Sequence, residues 1–85
     1  MINAEDLDAR PVVIYGAQGC GKSTIIRRIM GELGKTHHVE EWAGSTPFDV
    51  MLEPHMIAET SRLPPYSKAP EAIAISYEEA VALFS

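Results

Sequence analysis

Residues 11–23 read Pro11-Val12-Val13-Ile14-Tyr15-Gly16-Ala17-Gln18-Gly19-Cys20-Gly21-Lys22-Ser23: a short β-branched and aromatic run that stops at a glycine-rich loop. A run of this length and composition suits a strand buried on both faces. Beyond the loop, Ile25, Ile26, Ile29, Met30 and Leu33 recur at helical spacing, with Arg27, Arg28 and Glu32 on the other face. The spacing predicts a helix over 22–33, with Gly31 and Gly34 marking its end. Strand, glycine loop and helix therefore follow one another directly.

Working outward, an acidic lead-in with Glu5, Asp6 and Asp8 precedes the strand. Residues 37–42, His-His-Val-Glu-Glu-Trp, form a weaker second strand whose charge suggests a sheet edge. Thr46 as N-cap, Pro47 at the first helical position and Asp49 in the first turn predict a brief helix ending at Glu53-Pro54. Residues 55–60 read as a third strand, and 61–70, with Pro64, Pro65 and Pro70, as a loop. Residues 72–75 form a fourth strand. Ser76 and Glu79 then have capping-box spacing ahead of a last helix carrying Val81, Leu83 and Phe84. Alternating strands and helices imply an α/β fold: a short, mostly parallel sheet of about four strands, right-handed crossovers and helices on its faces. Ligands of such sheets sit at the carboxyl ends of the strands. No linker or repeat divides the chain, which reads as a single domain over 1–85.

The glycine loop carries the chemistry. Gly16, Gly19 and Gly21 permit backbone conformations and close approaches that a Cβ would obstruct. Inward-pointing N–H groups make an anion nest, adjoining the positive end of the helix that begins near Lys22. The Lys22 ammonium is placed to reach β- and γ-phosphates, and the Ser23 hydroxyl to ligate a magnesium ion bridging them. Thr24 packs or caps. Gly16, four residues, Gly21-Lys22-Ser23 in a strand-to-helix context matches the Walker A pattern, and here the sequence resembles the P-loop nucleoside triphosphatase superfamily. The resemblance implies a minimal three-layer P-loop fold, ATP with Mg2+ as ligands, and a binding loop of Gly16, Ala17, Gln18, Gly19, Cys20, Gly21, Lys22, Ser23 and Thr24. The whole chain is also similar to very small phage or prophage ATP-binding proteins, in which a minimal core ends in a proline-containing loop, a short strand and a helix, here 63–84. ATP over GTP rests partly on the absence of an Asn-Lys-x-Asp pattern.

The resemblance implies a second acid at another strand end. Glu59, closing the run Met56-Ile57-Ala58, is the first choice as catalytic partner of Lys22; Asp49, Glu40 and Glu41 are alternatives. Thr60 or Ser61 is placed to sense a γ-phosphate, and Arg62 follows the same strand. Arg27 and Arg28 read as a solvated helix face. Trp42 and Tyr66 are candidates for stacking on a base, with core packing the plainer role. Cys20, His37, His38 and His55 match no zinc spacing.

The chain has 85 residues, 46% apolar and 22% charged, enough for a core that buries roughly 60 to 65% of the unfolded surface. A net charge of −5 without blocks of like charge argues against long nucleic acid as a partner. One cysteine excludes an internal disulfide; together with the lack of a secretory signal or a ~20-residue apolar run this leads to the expectation of a cytoplasmic, non-membrane protein. The small core, a strand edge and an apolar last helix suggest self-association into a homo-oligomer. Three functions compete: slow ATP hydrolysis, a nucleotide-dependent binding module without turnover, and a small kinase, the last disfavoured by the limited surface left for an acceptor.

Overall fold

A computed structural model describes residues 4–16, 21–44, 50–64 and 66–84, with side chains from Leu7 onward. The elements in chain order are α1 (Ala4–Ala9), β1 (Val12–Tyr15), α2 (Lys22–Leu33), β2 (His37–Val39), β3 (Met56–Thr60), β4 (Ile73–Ser76) and α3 (Tyr77–Phe84). The strands form one sheet in the order β2-β3-β1-β4, with every pairing parallel. The α/β class and the parallel four-stranded sheet are thus those expected.

β1 is central because it is apolar on both faces. Val12, Val13 and Ile14 are completely buried. Side chains alternate across a strand, so Val12 and Ile14 join Ile57 and Ile75 on one face, where Ile25, Ile26 and Ile29 of α2, Ala80 and Phe84 of α3, and Leu7 of α1 cover them. Each such aliphatic side chain contributes about 1.5–3 kcal/mol by leaving water. Val13, Met56 and Ala58 point the other way, against Trp42, Leu52, Tyr66 and Ala69. Among the described residues this second cover consists of irregular chain, so the third layer is built from loops where helices were expected.

That layer explains the main correction. The start of the helix expected from Thr46 lies outside the described residues, but residues 50–53 are not helical. Their backbone is committed elsewhere: the Val50 carbonyl accepts from Trp42 Nε1 at 3.0 Å, and the Glu53 carbonyl accepts from Met56 N at 2.9 Å. Leu52 is buried. Over 50–53 a tertiary contact that spacing does not reveal stands in place of the expected helix.

β2 is an edge strand, as its charge suggested, but it stops at Val39 instead of running to Trp42. Glu41 has φ of 52°, a left-handed conformation uncommon outside glycine. The chain turns there, and Trp42 drops onto the loop-covered face while its N–H donates to the Glu59 carbonyl at 3.0 Å. α2 runs through Gly31 and closes at Gly34, whose φ of 70° makes it a left-handed C-cap. α3 starts with the expected capping box: Glu79 N–H donates to Ser76 Oγ at 3.1 Å, and Ser76 Oγ donates to Glu79 Oε1 at 3.1 Å. The short helix α1 was not anticipated; only its acidic first residues distinguish it. None of the described helices is long and apolar enough to cross a membrane.

Candidate functional site

From β1, the chain crosses by way of α2 to the far edge strand β2, whereas the chain leaving β3 returns on the other side of β1 as β4. The connections after β1 and β3 therefore run to opposite edges of the sheet. A parallel sheet opens its ligand crevice where neighbouring strands send their connections in opposite directions, here between the carboxyl ends of β1 and β3. An open cleft of about 500 Å³ occupies that position. Lys22 lines one side, Glu59, Thr60, Ser61 and Arg62 the β3 end, and Glu41, Trp42 and Ala43 the remainder.

The cleft's β1 side begins at Gly16, whose N–H donates to the Thr60 carbonyl at 3.1 Å and prolongs the β1–β3 ladder by one bond. Ala17, Gln18, Gly19 and Cys20 lie outside the described residues. The chain re-enters at Gly21 with φ of 91° and ψ of 23°, a conformation that costs any residue with a Cβ about 1–2 kcal/mol. Gly21 is also the N-cap of α2, and its carbonyl accepts from Thr24 N at 3.2 Å. No side chain caps this end and the first turn holds no acid, so its positive dipole end is uncompensated by carboxylates of its own helix. Lys22 is buried, and its Nζ donates to the Gly16 carbonyl at 2.9 Å, spanning the loop from end to start. Ser23 and Thr24 are exposed. These donors suit an anion: an ammonium and a helix N-terminus converge on one crevice.

Of the acids considered, Glu59 and Glu41 line the cleft. Asp49 lies outside the described residues. Glu59 is half-buried beside Ile14 in the β1–β3 register, and its Oε1 lies 3.4 Å from His38 Nε2. Glu40 is exposed and joins the same pair. Thr60 is buried, its Oγ1 accepting from Arg62 N at 3.1 Å. Tyr66 Oη donates to the Arg62 carbonyl at 2.8 Å, so Arg62, two residues past the strand, is held at both its N–H and its carbonyl. Arg27 and Arg28 are exposed on α2, with Arg28 Nε 4.0 Å from Glu32 Oε1. Such an exposed pair contributes little.

Trp42 and Tyr66 take the packing role. They are 2% and 5% exposed, with ring centroids 5.2 Å apart at 59°, which leaves neither face open to a base. Burial, with a smaller contribution from Tyr15, pushes the Tyr66 phenol up to about 12. The histidines are not gathered: His37 meets His55 edge-on at 6.4 Å, whereas His38, next in the strand, faces the opposite side of the sheet. Sequence reasoning missed the approach of His38 and Glu40 to Glu59. The available signal was their two-residue spacing, which puts both on one strand face, but the partner strand's register had to be known.

The chain matches no family model, no curated protein and no solved structure at a significant level.

Proposed function

We propose that this protein binds a nucleoside triphosphate, ATP with Mg2+ in the first instance, in the crevice between β1 and β3. The observation that carries the reading is Lys22: a buried ammonium at the start of α2, bonded to the Gly16 carbonyl, lining a cleft at the switch point of a parallel sheet. Its motif, Gly16 through Ser23, is one whose residue types each serve phosphate binding. On this reading Lys22 exchanges the Gly16 carbonyl for β- and γ-phosphate oxygens, the amides at the α2 N-terminus cradle the phosphates, and the Ser23 hydroxyl ligates the magnesium. Glu59 orients water if the triphosphate is hydrolysed, with Lys22 and the amides stabilising charge on the phosphoryl group.

A module without turnover is the second reading, favoured by Glu59 lying against His38 and by the grip of Thr60 and Tyr66 on Arg62. A phosphate contact at the β3 end would then be passed to the 61–70 loop, which a partner reads.

Trp42, the sole tryptophan, lines the cleft and reports its occupancy. Titrating ATP with Mg2+ should shift its emission saturably, with AMP far less effective. Phosphate release measured on the same samples separates the readings: turnover lost in Glu59→Gln marks an enzyme, and binding without release marks the module. An emission unaffected by millimolar ATP, with no release, would contradict both.

A further inference from the structure

His38, Glu40 and Glu59 meet at the corner where β2 and β3 end. His38 pairs with Ile57 across the parallel ladder, and Glu59 lies two residues beyond Ile57, so both side chains stand on the helix-covered face. Glu40 follows His38 at the same two-residue spacing. One donor atom from each lies within 4.8 Å of the other two.

Two observations separate this corner from a chance group of surface charges. His38 Nε2 is buried and has no hydrogen-bond partner. It nevertheless lies 3.4 Å from Glu59 Oε1. A buried polar atom that faces a carboxylate oxygen without making a hydrogen bond is destabilising and asks for a partner. A cation between the two atoms gives both of them that partner. Metal–nitrogen and metal–oxygen bonds of about 2.0–2.2 Å at tetrahedral angles set neighbouring donors about 3.4 Å apart, the separation found. Glu40, exposed at the rim, is free to close the remaining distance and leaves a route of entry.

We infer that His38, Glu40 and Glu59 form a binding site for a divalent transition ion of the zinc class, three protein donors with one position open to water. Imidazole with carboxylates suits zinc, manganese or iron, whereas magnesium prefers oxygen alone. The site shares Glu59 with the proposed triphosphate crevice but does not depend on it. The probe is accordingly the metal alone on nucleotide-free protein.

The test is calorimetric titration of Zn2+ into the untagged chain, with Mg2+ in parallel. One zinc per chain should bind at micromolar concentration, with Mg2+ ineffective. Affinity should fall by at least about tenfold in each of His38→Gln, Glu40→Gln and Glu59→Gln, since loss of a direct ligand costs no less than loss of its outer support. It should be unchanged in Cys20→Ser and His55→Ala, which remove the thiol and the His37–His55 pair as rival sites. Circular dichroism checks that each variant folds; exposed Glu40 gives a variant that leaves the core untouched. No zinc binding, binding indifferent to His38 and Glu40, or binding lost in Cys20→Ser or His55→Ala would each overturn the site. In the first two cases His38 and Glu59 are an ordinary proton-mediated pair.

Discussion

Gly16 and Thr60 are joined across the ends of β1 and β3, N–H to carbonyl at 3.1 Å, so the residue that opens the glycine loop is fixed to the strand end that carries the cleft's other wall. Thr60 serves this wall twice, because its hydroxyl also accepts from Arg62 N. Thr60→Val keeps the volume and deletes the acceptor. The loss should be about 1–3 kcal/mol in urea unfolding, the cost of orphaning a partly buried N–H. A change under a few tenths would mean that water replaces the hydroxyl at no cost.

Lys35 is the buried cation at the opposite end of the sheet. Its ammonium donates to the carbonyls of Asp8 and Arg10 at 3.1 and 2.9 Å and to that of Pro54. It thereby satisfies carbonyls at the end of α1 and ties that helix to the turn before β3. Burial lowers its pKa below 10.5, with the Asp8 carboxylate only partly opposing. Lys35→Met fills the space but leaves the carbonyls unpaired and should cost about 2–4 kcal/mol by denaturant unfolding. An unchanged midpoint would show that α1 docks without it.

Gly44 is locked under the aromatic pair. It has φ of 80°, and an added Cβ would fall 2.8 Å from Trp42 Cζ3 and 2.8 Å from Tyr66 Cδ1. Gly44→Ala therefore combines backbone strain with overpacking and should destabilise by about 2–4 kcal/mol. At Gly34, where φ is also positive but no atom lies within 4 Å, alanine should cost only the strain, about 1–2 kcal/mol. Equal losses at the two positions would refute the packing at Gly44.

Tyr66 contributes a pH dependence at the alkaline end. Its phenol is raised from 10.0 to about 12 in the folded state. The folded chain thus holds this proton more tightly than the unfolded one, so the stabilisation is complete below pH 10 and is lost as pH rises through 10 towards 12. Tyrosinate absorbance should show a late step near pH 12 that is absent in Tyr66→Phe, and the mutant's stability should fall less over the same interval. A late step retained in the mutant would assign it to Tyr15 or Tyr77.

The elements legible in the sequence were those whose pattern is local. Val12 to Tyr15 and the Ile25-Ile26-Ile29 stripe define β1 and α2 with no reference to the rest of the chain, and Ser76 with Glu79 marks the start of α3. Residues 50–53 were misread because what holds them is a tryptophan indole from another segment. Trp42 itself was assigned to β2 because nothing local foretells a left-handed turn at Glu41, a residue poorly suited to one. In the site, Lys22, Glu59, Thr60, Ser61 and Arg62 were singled out from motif and strand ends, and the sheet brings them to one cleft. The pairing of Glu59 with His38 depends on the β2–β3 register, information that resides in the fold and not in the spacing of either strand.

Lys22 and its loop are the proposed seat of the triphosphate. Isothermal titration of ATP with Mg2+ into the wild type and Lys22→Ala tests it most directly. Saturable binding of one ATP per chain is predicted, weakened at least about tenfold in the variant, as befits loss of a charge-assisted contact. An absence of heat from the wild type at millimolar ATP, or equal binding by a folded Lys22→Ala, would contradict it.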